Sequence, residues 1–294
     1  MGGRAWTPDE IAIVRERRER GDDNKTIRSA LADAGFGRTL TAVRILGQDR
    51  GWHRSIKPAP FEIYNKAPRL EGDALVMADC HVPFHDAAWC NRVIAHALKR
   101  GIKQLILAGD FVDWAAFGIY GRLVEVNAHE EIGAARDFFE ALQDFERVVV
   151  ILGNHEMRLI RQLNYKLGAQ ELTPFFASHP GLVVTDYHWC TLRSGGQNWR
   201  ISHPKNAHMK PCSVATRLVA KSVNTHVAVG HDHVCGAIKT EDGKHWAIST
   251  GVCLMPKKLD YTTLVDNTRW EIAQGALIIR DGYPELLTPG CPDY

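Results

Sequence analysis

The pattern of apolar and polar positions separates a short N-terminal part from a longer remainder. Within residues 1–52, apolar side chains recur at helical spacing in three short segments. Thr7-Pro8-Asp9-Glu10 predicts the start of the first helix, with a threonine N-cap, a proline in the first turn and a glutamate that closes a capping box. The second helix is predicted to start at residue 23 or 24, and the third at Thr39 or Thr41. The pattern therefore predicts a small three-helix domain.

Residues 53–72 contain Pro58, Pro60 and Pro68 and show no sustained periodicity, which predicts a linker. From residue 73 to 294, apolar strands alternate with amphipathic helices and then give way to further apolar runs. Strands are predicted at 74–77, 104–107, 148–152, 182–185, 199–202, 226–229, 246–250 and 276–279, and helices at about 86–100 and 130–147. This β-α-β-α-β order, followed by more sheet, predicts an α/β (α+β) domain.

The charge is unevenly distributed along the chain. The whole chain carries a net +2, but residues 1–58 hold 12 Lys and Arg against 8 Asp and Glu, which leaves −2 for the rest. A basic N-terminal part, the head, before an acidic remainder, the body, is compatible with an anionic partner for the head.

The seven cysteines show no C-x-x-C spacing, and no apolar run is long enough to cross a bilayer or to form a signal peptide. We therefore expect a cytoplasmic protein that does not contact membranes.

Five polar motifs, each directly after a predicted strand of residues 73–294, contain residue types that bind metals. The motifs are Asp79-Cys80-His81, Gly109-Asp110-Phe111-Val112-Asp113, Gly153-Asn154-His155-Glu156, Ser202-His203 and Gly230-His231-Asp232-His233. The carboxyl ends of neighbouring strands converge on one edge of an α/β fold, so these motifs can meet in one crevice. Carboxylates, an amide and imidazoles without thiolates suit Mn, Fe, Zn or Mg. The ligands exceed the need of one ion, which favours a pair ~3.5–4 Å apart.

The order of these motifs resembles the signature of the calcineurin-like metallophosphoesterases, over about residues 73 to 254. That signature is D-x-H, G-D-x-x-D, G-N-H-E, a lone His and G-H-x-H. That family includes protein phosphatases, cyclic-nucleotide phosphodiesterases and nucleases. The resemblance implies a layered β-sandwich flanked by helices, and two divalent metal ions. Mn is the first choice, with Fe, Zn, Ni, Co or Mg as alternatives.

The resemblance also implies a role for each matching residue. The first metal is assigned to Asp79, His81 and His233, the second to Asn154, His203 and His231, and the bridge to Asp110. His155 is expected to protonate the leaving oxygen, and Asp113 to orient it.

One departure concerns the binding of phosphate. Many relatives have Arg directly after the second Asp of G-D-x-x-D, whereas Trp114 stands here. Arg158, Lys205 and Lys210 are candidates for that role, and a surface salt bridge is the alternative for each.

Two further histidines lie close to the motifs. His85 is a candidate for the pocket wall, and helix capping by Asp86 is the alternative explanation of its segment. His208 competes with His203 as the isolated ligand. His203 is preferred because it directly follows a strand.

The segment Gly37-Arg38-Thr39-Leu40-Thr41-Ala42-Val43-Arg44 resembles the helix-turn-helix modules of the Myb-like and resolvase-like type, whose third helix enters the major groove. The resemblance implies DNA as a partner. The candidate contacts are Arg38, Thr39, Thr41, Arg44, Gln48 and Arg50. A three-helix oligomerisation or packing domain is the alternative.

Three functions follow as hypotheses. The first is a DNA nuclease or phosphodiesterase targeted by its head. The second is a phosphatase or cyclic-nucleotide phosphodiesterase that acts on small molecules or phosphoproteins. The third is a DNA-binding regulator with a non-catalytic body, against which the intact ligand set counts. Such a chain suits a bacterium or a bacteriophage, and its oligomeric state is open.

Overall fold

The computed structural model describes residues 4–52, 67–118, 125–255 and 272–291. The chain forms two compact units, Met1–Asn65 and Lys66–Tyr294, called here the head and the body. Residues 53–66, which hold most of the predicted linker, lie outside the described ranges. Within those ranges no helix is both long and apolar enough to cross a membrane.

The head consists of three helices, α1 (Pro8–Glu19), α2 (Asn24–Asp33) and α3 (Leu40–Asp49). Each begins after a side chain that accepts a hydrogen bond from a backbone N–H of the first turn, namely Thr7, Asp23 and Thr39. Thr7 and Glu10 form the predicted capping box. The buried core of the head consists of Val14, Ile27, Leu31, Val43 and Leu46.

A buried ion pair ties the segment before α3 to α1. The Nε and Nη2 atoms of Arg38 donate to the carboxylate of Glu10, both at 2.7 Å, and its guanidinium lies 4.3 Å from the ring centroid of Trp6. Its Nη1 and Nη2 atoms also donate to the carbonyl oxygens of Arg4 and Ala5. These contacts use the donors of Arg38, a predicted DNA contact, inside the head.

The body is built from two six-stranded sheets and short helices. Its helices are α4 (Ala87–Lys99), α5 (Ala128–Glu140), α6 (Glu156–Gln162), α7 (Ala169–Leu172) and α8 (Ser213–Val219). Its strands are β1 (Arg69–Glu71), β2 (Ala74–Met77), β3 (Gln104–Ala108), β4 (Arg147–Ile151), β5 (Leu182–Val184), β6 (Trp189–Ser194), β7 (Gln197–Ser202), β8 (His226–Val229), β9 (Cys235–Lys239), β10 (Trp246–Thr250), β11 (Ala276–Arg280) and β12 (Tyr283–Leu287).

The two sheets pack face to face. One has the order β12-β11-β2-β3-β4-β5, with β2 to β5 parallel, and the other has the order β1-β6-β7-β8-β10-β9. Apolar residues of both inner faces form one cluster, which includes Val76, Ile106, Val149, Trp199 and Ile201. Helices α4 and α5 cover the outer face of the first sheet, and α8 covers β8 and β10 of the second. This is the predicted layered fold with flanking helices.

Two predicted boundaries differ from the structure. The linker was predicted to extend to residue 72, but Arg69–Glu71 forms β1, which pairs parallel with β6. Leu70 is the single buried residue of that strand, so its sequence shows no periodicity. Helix α5 ends at Glu140 and not near Arg147, because the chain then turns to bury Leu142 and Phe145. Strands β6, β9 and β12 were also not predicted.

Candidate metal centre

Five loops at the carboxyl ends of strands carry the predicted ligands. Asp79 follows β2, Asp110 follows β3 and Asn154 follows β4, and these three strands are parallel neighbours. His203 follows β7 and His231 follows β8, which are parallel neighbours in the other sheet. Because the sheets pack face to face, the two sets of loops meet at one end of the sandwich.

The first group of ligands comprises Asp79, His81 and His233. The Nε2 atom of His233 lies 3.3 Å from Asp79 Oδ1 and 3.4 Å from His81 Nε2, and the latter lies 4.0 Å from the same oxygen. Asp79 Oδ1 is buried and makes no hydrogen bond, although His233 is near it. An anionic oxygen buried without a donor is costly unless a cation lies beside it.

The second group comprises Asp110, Asn154, His203 and His231. His203 Nε2 lies 3.5 Å from Asp110 Oδ2 and 3.1 Å from Asn154 Oδ1, and the rings of His203 and His231 are 4.9 Å apart. Asp110 Oδ2 is also 3.9 Å from Nε2 of His81 in the first group. Asp110 thus lies between the two groups, where the sequence predicts a bridging ligand.

Beside these groups, Asp113 connects two imidazole rings. Its Oδ1 lies 2.8 Å from His81 Nδ1 and 3.0 Å from His155 Nδ1. Burial opposes its charge, but the hydrogen bonds from His155 and His81 hold its pKa well below the usual range. Asp113 therefore orients a predicted metal ligand as well as His155. The Nε2 atom of His155 is left pointing towards Asp110 Oδ2, at 3.7 Å.

Arg158 completes this side of the site. Its Nη2 lies 3.0 Å from His155 Nε2, and its Nη1 donates to the backbone oxygen of Asp113 at 2.9 Å. A second contact, from Nη1 to Asp113 Oδ2, measures 3.4 Å. The candidate phosphate ligand therefore contacts the candidate acid directly.

The backbone around the site is strained. Five of the seven predicted ligands have a left-handed φ between 49° and 75°: Asp79, His81, Asp110, His231 and His233. Non-glycine residues in this region cost of order 1 kcal/mol or more each and cluster at functional sites. Gly109 also has a positive φ, and a Cβ there would lie 2.3 Å from His203 Nδ1. Close approach of the β3 loop to this histidine therefore requires glycine.

The charges of the site favour a cation. Burial opposes the charge of Asp110, but His155 and His203 lower its pKa well below its usual value. Burial likewise opposes protonation of His203, but Asp110 and Asp79 raise its pKa to about 10. Burial and the charge of His203 lower the pKa of His231 to about 4. Burial also opposes protonation of His155, but Asp110 and Asp113 raise its pKa, so the ionised aspartates favour protonation of both His203 and His155.

Two buried glutamates organise the loops, and sequence reasoning assigned neither of them a role. Glu156 accepts hydrogen bonds from the backbone N–H groups of residues 110, 111, 112 and 153. Glu131 on α5 accepts from those of residues 115 and 116. Glu156 is the last residue of G-N-H-E, so its position was visible. Its partners were not, because three of them lie 44 to 46 residues away in the chain.

The donor set fits divalent metal ions. It consists of carboxylate and amide oxygens and imidazole nitrogens, which suit Mn, Fe, Zn or Mg. Asp79 Oδ1 makes no hydrogen bond, and the Nε2 atoms of His81 and His233 face each other. No placement of protons on the two rings gives all three atoms a hydrogen-bond partner within this group. The chemistry of these two groups of ligands, which together we call the cup, therefore matches the metal-binding role that the sequence predicts.

Two other predicted candidates, His85 and His208, make their described contacts with residues other than the ligands. The ring of His85 packs on Phe138 at 5.2 Å, and Asp86 caps α4 by accepting from Trp89 N at 3.0 Å. Packing and capping therefore account for this segment, and no described contact joins His85 to the ligands. His208 is exposed, and its Nδ1 accepts from Lys210 N. Within the described residues, His203 and not His208 lies among the ligands.

Trp114 occupies the position where many relatives have Arg. It is 2 % exposed, has a φ of 49°, and packs on Phe117 and Phe176 with ring centroids 6.0 Å and 5.3 Å away. The residue after Asp113 thus contributes to the apolar core beneath the site.

The remaining candidate DNA contacts lie on or beside α3 in the head. Thr41, Arg44 and Gln48 are exposed and, at spacings of three and four residues, share one helical face. Ile45, on the same face, is 45 % exposed. Arg50 is exposed at the end of the helix, while the Thr39 hydroxyl accepts from Ala42 N as a cap.

Similarity to known proteins was found at the levels of family and fold. A phosphoesterase, Yfce, from E. coli shares 15% identity over 74% of this chain and 98% of its own, with a TM-score of 0.39. A metallophosphoesterase from Sphaerobacter thermophilus shares 14% over 74% and 87%, with a TM-score of 0.39. The nuclease MPE from Pseudomonas putida shares 18% over 73% and 87%, with a TM-score of 0.32. TM-scores this low give no information about the function of this chain. The search of curated proteins found no match.

The family model for calcineurin-like phosphoesterases matches residues 73–235, which is more than half of the chain. The matched range contains the predicted ligands from Asp79 to His233. The chain therefore belongs to the calcineurin-like phosphoesterases, a family of metal-dependent hydrolases.

Proposed function

We propose that the protein is a two-metal phosphodiesterase that cleaves DNA and is brought to its substrate by its head. The observation that carries the proposal is the position of Asp110 between two complete groups of donors. Asp79, His81 and His233 would hold one ion, and Asn154, His203 and His231 the other. When bound, two such ions polarise a phosphoryl oxygen and activate a water for in-line attack.

The acid of the proposed reaction is His155. The backbone oxygen of Asp113 accepts from its Nδ1 at 2.9 Å, with Asp113 Oδ1 at 3.0 Å, and this directs Nε2 towards the side of the cup where Asp110 lies. Arg158 Nη2 donates to this Nε2 atom, so Nε2 takes up a proton once the guanidinium turns to the phosphate instead. That proton can then pass to the leaving oxygen, and Asp113 stabilises the charged ring until it does.

Arg158 is proposed as the phosphate ligand that replaces the arginine lost at Trp114. Its guanidinium already touches His155 Nε2, the atom that must meet the leaving oxygen. Its side chain is 15 % exposed, so it is held by the protein but remains open to a ligand. A planar guanidinium can bind two phosphate oxygens at once, which suits a diester held beside the acid.

The head supports DNA as the substrate. Thr41, Arg44 and Gln48 form an exposed polar face on α3, the helix that the sequence predicts to enter a major groove. A DNA-binding head raises the local concentration of duplex at a tethered active site. Arg38, Thr39 and the core residues of the head would then support this face and not contact the groove.

The test is hydrolysis by the purified full chain with Mn²⁺ of single-stranded DNA, duplex DNA, a cyclic nucleotide, bis(p-nitrophenyl) phosphate and a phosphomonoester. DNA and the synthetic diester are expected to be cleaved, and the monoester to be a poor substrate. Asp110→Asn should abolish turnover, whereas Asp137→Asn, an exposed change on α5, should not. Faster turnover of the monoester would favour a phosphatase. No turnover with Mn, Ni, Co, Zn or Mg would favour a DNA-binding regulator.

A further inference from the structure

The outer face of the second sheet carries arginines and aromatic rings next to the metal centre. Helix α8 packs on β8 and β10, while β1, β6 and β7 carry the rest of this outer face. Strand alternation and the strand registers place eight side chains on that side, which we call the aromatic-arginine face: Arg69, Glu71, Trp189, Thr191, Arg193, Asn198, Arg200 and Ser202. Three of the eight are cationic and one is acidic.

Arg200, at the middle of this face, has no counter-ion among the described residues. Its guanidinium lies 4.2 Å from the ring centroid of Trp189. Its Nε is buried without a hydrogen bond, and no acidic side chain of the described residues offsets its charge. Burial lowers the pKa of the guanidinium, as expected for a charge removed from water without a partner. An anion supplied from outside the protein would offset that cost.

The aromatic-arginine face starts at the metal centre. Trp189 pairs with Ser202, the residue directly before the ligand His203. The backbone oxygen of His188 accepts from His203 N at 2.8 Å, so the first residues of β6 border the cup. Tyr187 extends the aromatic surface, with its ring edge-on to Trp189 at a centroid distance of 5.9 Å. A polymer that passes through the cup can therefore continue onto this face.

The chemistry of the face selects one occupant. Arg69, Arg193 and Arg200 outnumber Glu71, the acidic residue of β1 that pairs with Arg193 on this face. Aromatic rings interleaved with arginines bind unpaired bases by stacking and bind the intervening phosphates by charge. In a duplex the bases are stacked on one another and cannot lie on a protein ring. We infer that the aromatic-arginine face binds a single-stranded polynucleotide that leads to the metal centre.

This inference rests on the proposed function for the identity of the substrate, but its test does not require turnover. Fluorescein-labelled dT12 and rU12 are titrated with the full chain in chelator, which prevents cleavage, and binding is followed by anisotropy. Trp189→Leu should weaken binding of dT12 roughly tenfold, the loss expected for one stacking contact, and Arg200→Gln, which removes a phosphate contact, should weaken it several-fold. Trp189→Phe should retain most of the affinity because it keeps a ring. The RNA arm identifies which polynucleotide uses the face.

The matched control is Arg280→Gln. Arg280 is an exposed arginine on β11 in the other sheet, opposite the N-terminal edge of β2, so its loss should leave dT12 affinity unchanged. Hydrolysis of bis(p-nitrophenyl) phosphate should be equal in all four variants, because this small diester does not reach the face. If all diesters resist hydrolysis, the proposed function fails while the binding result still stands. Unchanged dT12 and rU12 affinity in both Trp189→Leu and Arg200→Gln, or an equal loss in Arg280→Gln, would overturn the inference.

Discussion

Glu156 holds together two of the loops that carry metal ligands, and its removal is the most direct test of how the cup is built. Its Oε2 accepts from Asp110 N at 3.0 Å and Gly153 N at 2.8 Å. Its Oε1 accepts from Phe111 N at 2.8 Å and Val112 N at 3.2 Å. All four donors belong to the turns that follow β3 and β4, so one carboxylate replaces the hydrogen bonds that these turns cannot make themselves.

Glu156→Gln preserves shape but turns one oxygen into a donor, so two of the four N–H groups lose their acceptor. A buried donor without a partner costs about 1 to 3 kcal/mol, which gives about 4 kcal/mol for two. Burial and the nearby charge of Asp110 raise the pKa of Glu156, so removing its charge also relieves repulsion. We therefore expect a net loss of about 2 to 3 kcal/mol. Glu156→Ala, which leaves four donors unpaired, should cost about twice as much.

Hydrogen exchange of peptides from β3 and β4, measured across a urea series in chelator, reports on the body alone. The matched control is Glu130→Gln, an exposed capping-box residue whose carboxylate accepts one bond from Asn127 N at 3.3 Å. Its expected cost is below about 1 kcal/mol. If Glu156→Gln is no more destabilising than Glu130→Gln, or if Gln and Ala cost the same, the backbone donors do not depend on this carboxylate.

Four further predictions concern the site and the head. Asp110→Ala should lower the metal content measured by mass spectrometry, and retention of two ions would contradict its bridging position. His155→Ala should keep its metal but lose far more turnover on diesters with poor leaving groups than on p-nitrophenyl esters, because only the former need a proton. Arg44→Ala should reduce the slope of log K against log salt for duplex binding by about 0.9, and an unchanged slope would remove it from the interface. The hydrogen bond from Arg38 lowers the pKa of Glu10 from 4.5 to about 2, so this carboxylate stabilises the head above pH 4.5 and the gain disappears as pH falls towards 2. Arg38→Met should remove that acid dependence in circular dichroism of the head helices.

The sequence predicted the ligand-bearing strands well because each signal was local. Strands 226–229 and 246–250 have the predicted bounds, since a short apolar run ends in a polar motif or a glycine. The helices of the head also begin at the predicted caps, because a capping side chain and its N–H partner are three residues apart. The convergence of the five motifs followed from the parallel order of the strands.

What the sequence did not reveal depends on pairs that are distant along the chain. Arg38 was assigned to DNA because its contact with Glu10, 28 residues earlier, leaves no local trace. Asp113 was paired with His155 alone, whereas it holds His81 as well, 32 residues away. Strand β6 was missed because it alternates between the core and the aromatic-arginine face, and a tryptophan on the outer side obscures that alternation. In these cases a side chain expected to be free has a partner within the protein, or a side chain expected to be buried lies on the outer face of a sheet. The internal partners of a charged or aromatic residue must therefore be known before it is assigned to a ligand. Those of Arg200 are known: it packs on the ring of Trp189 and has no ionic partner among the described residues.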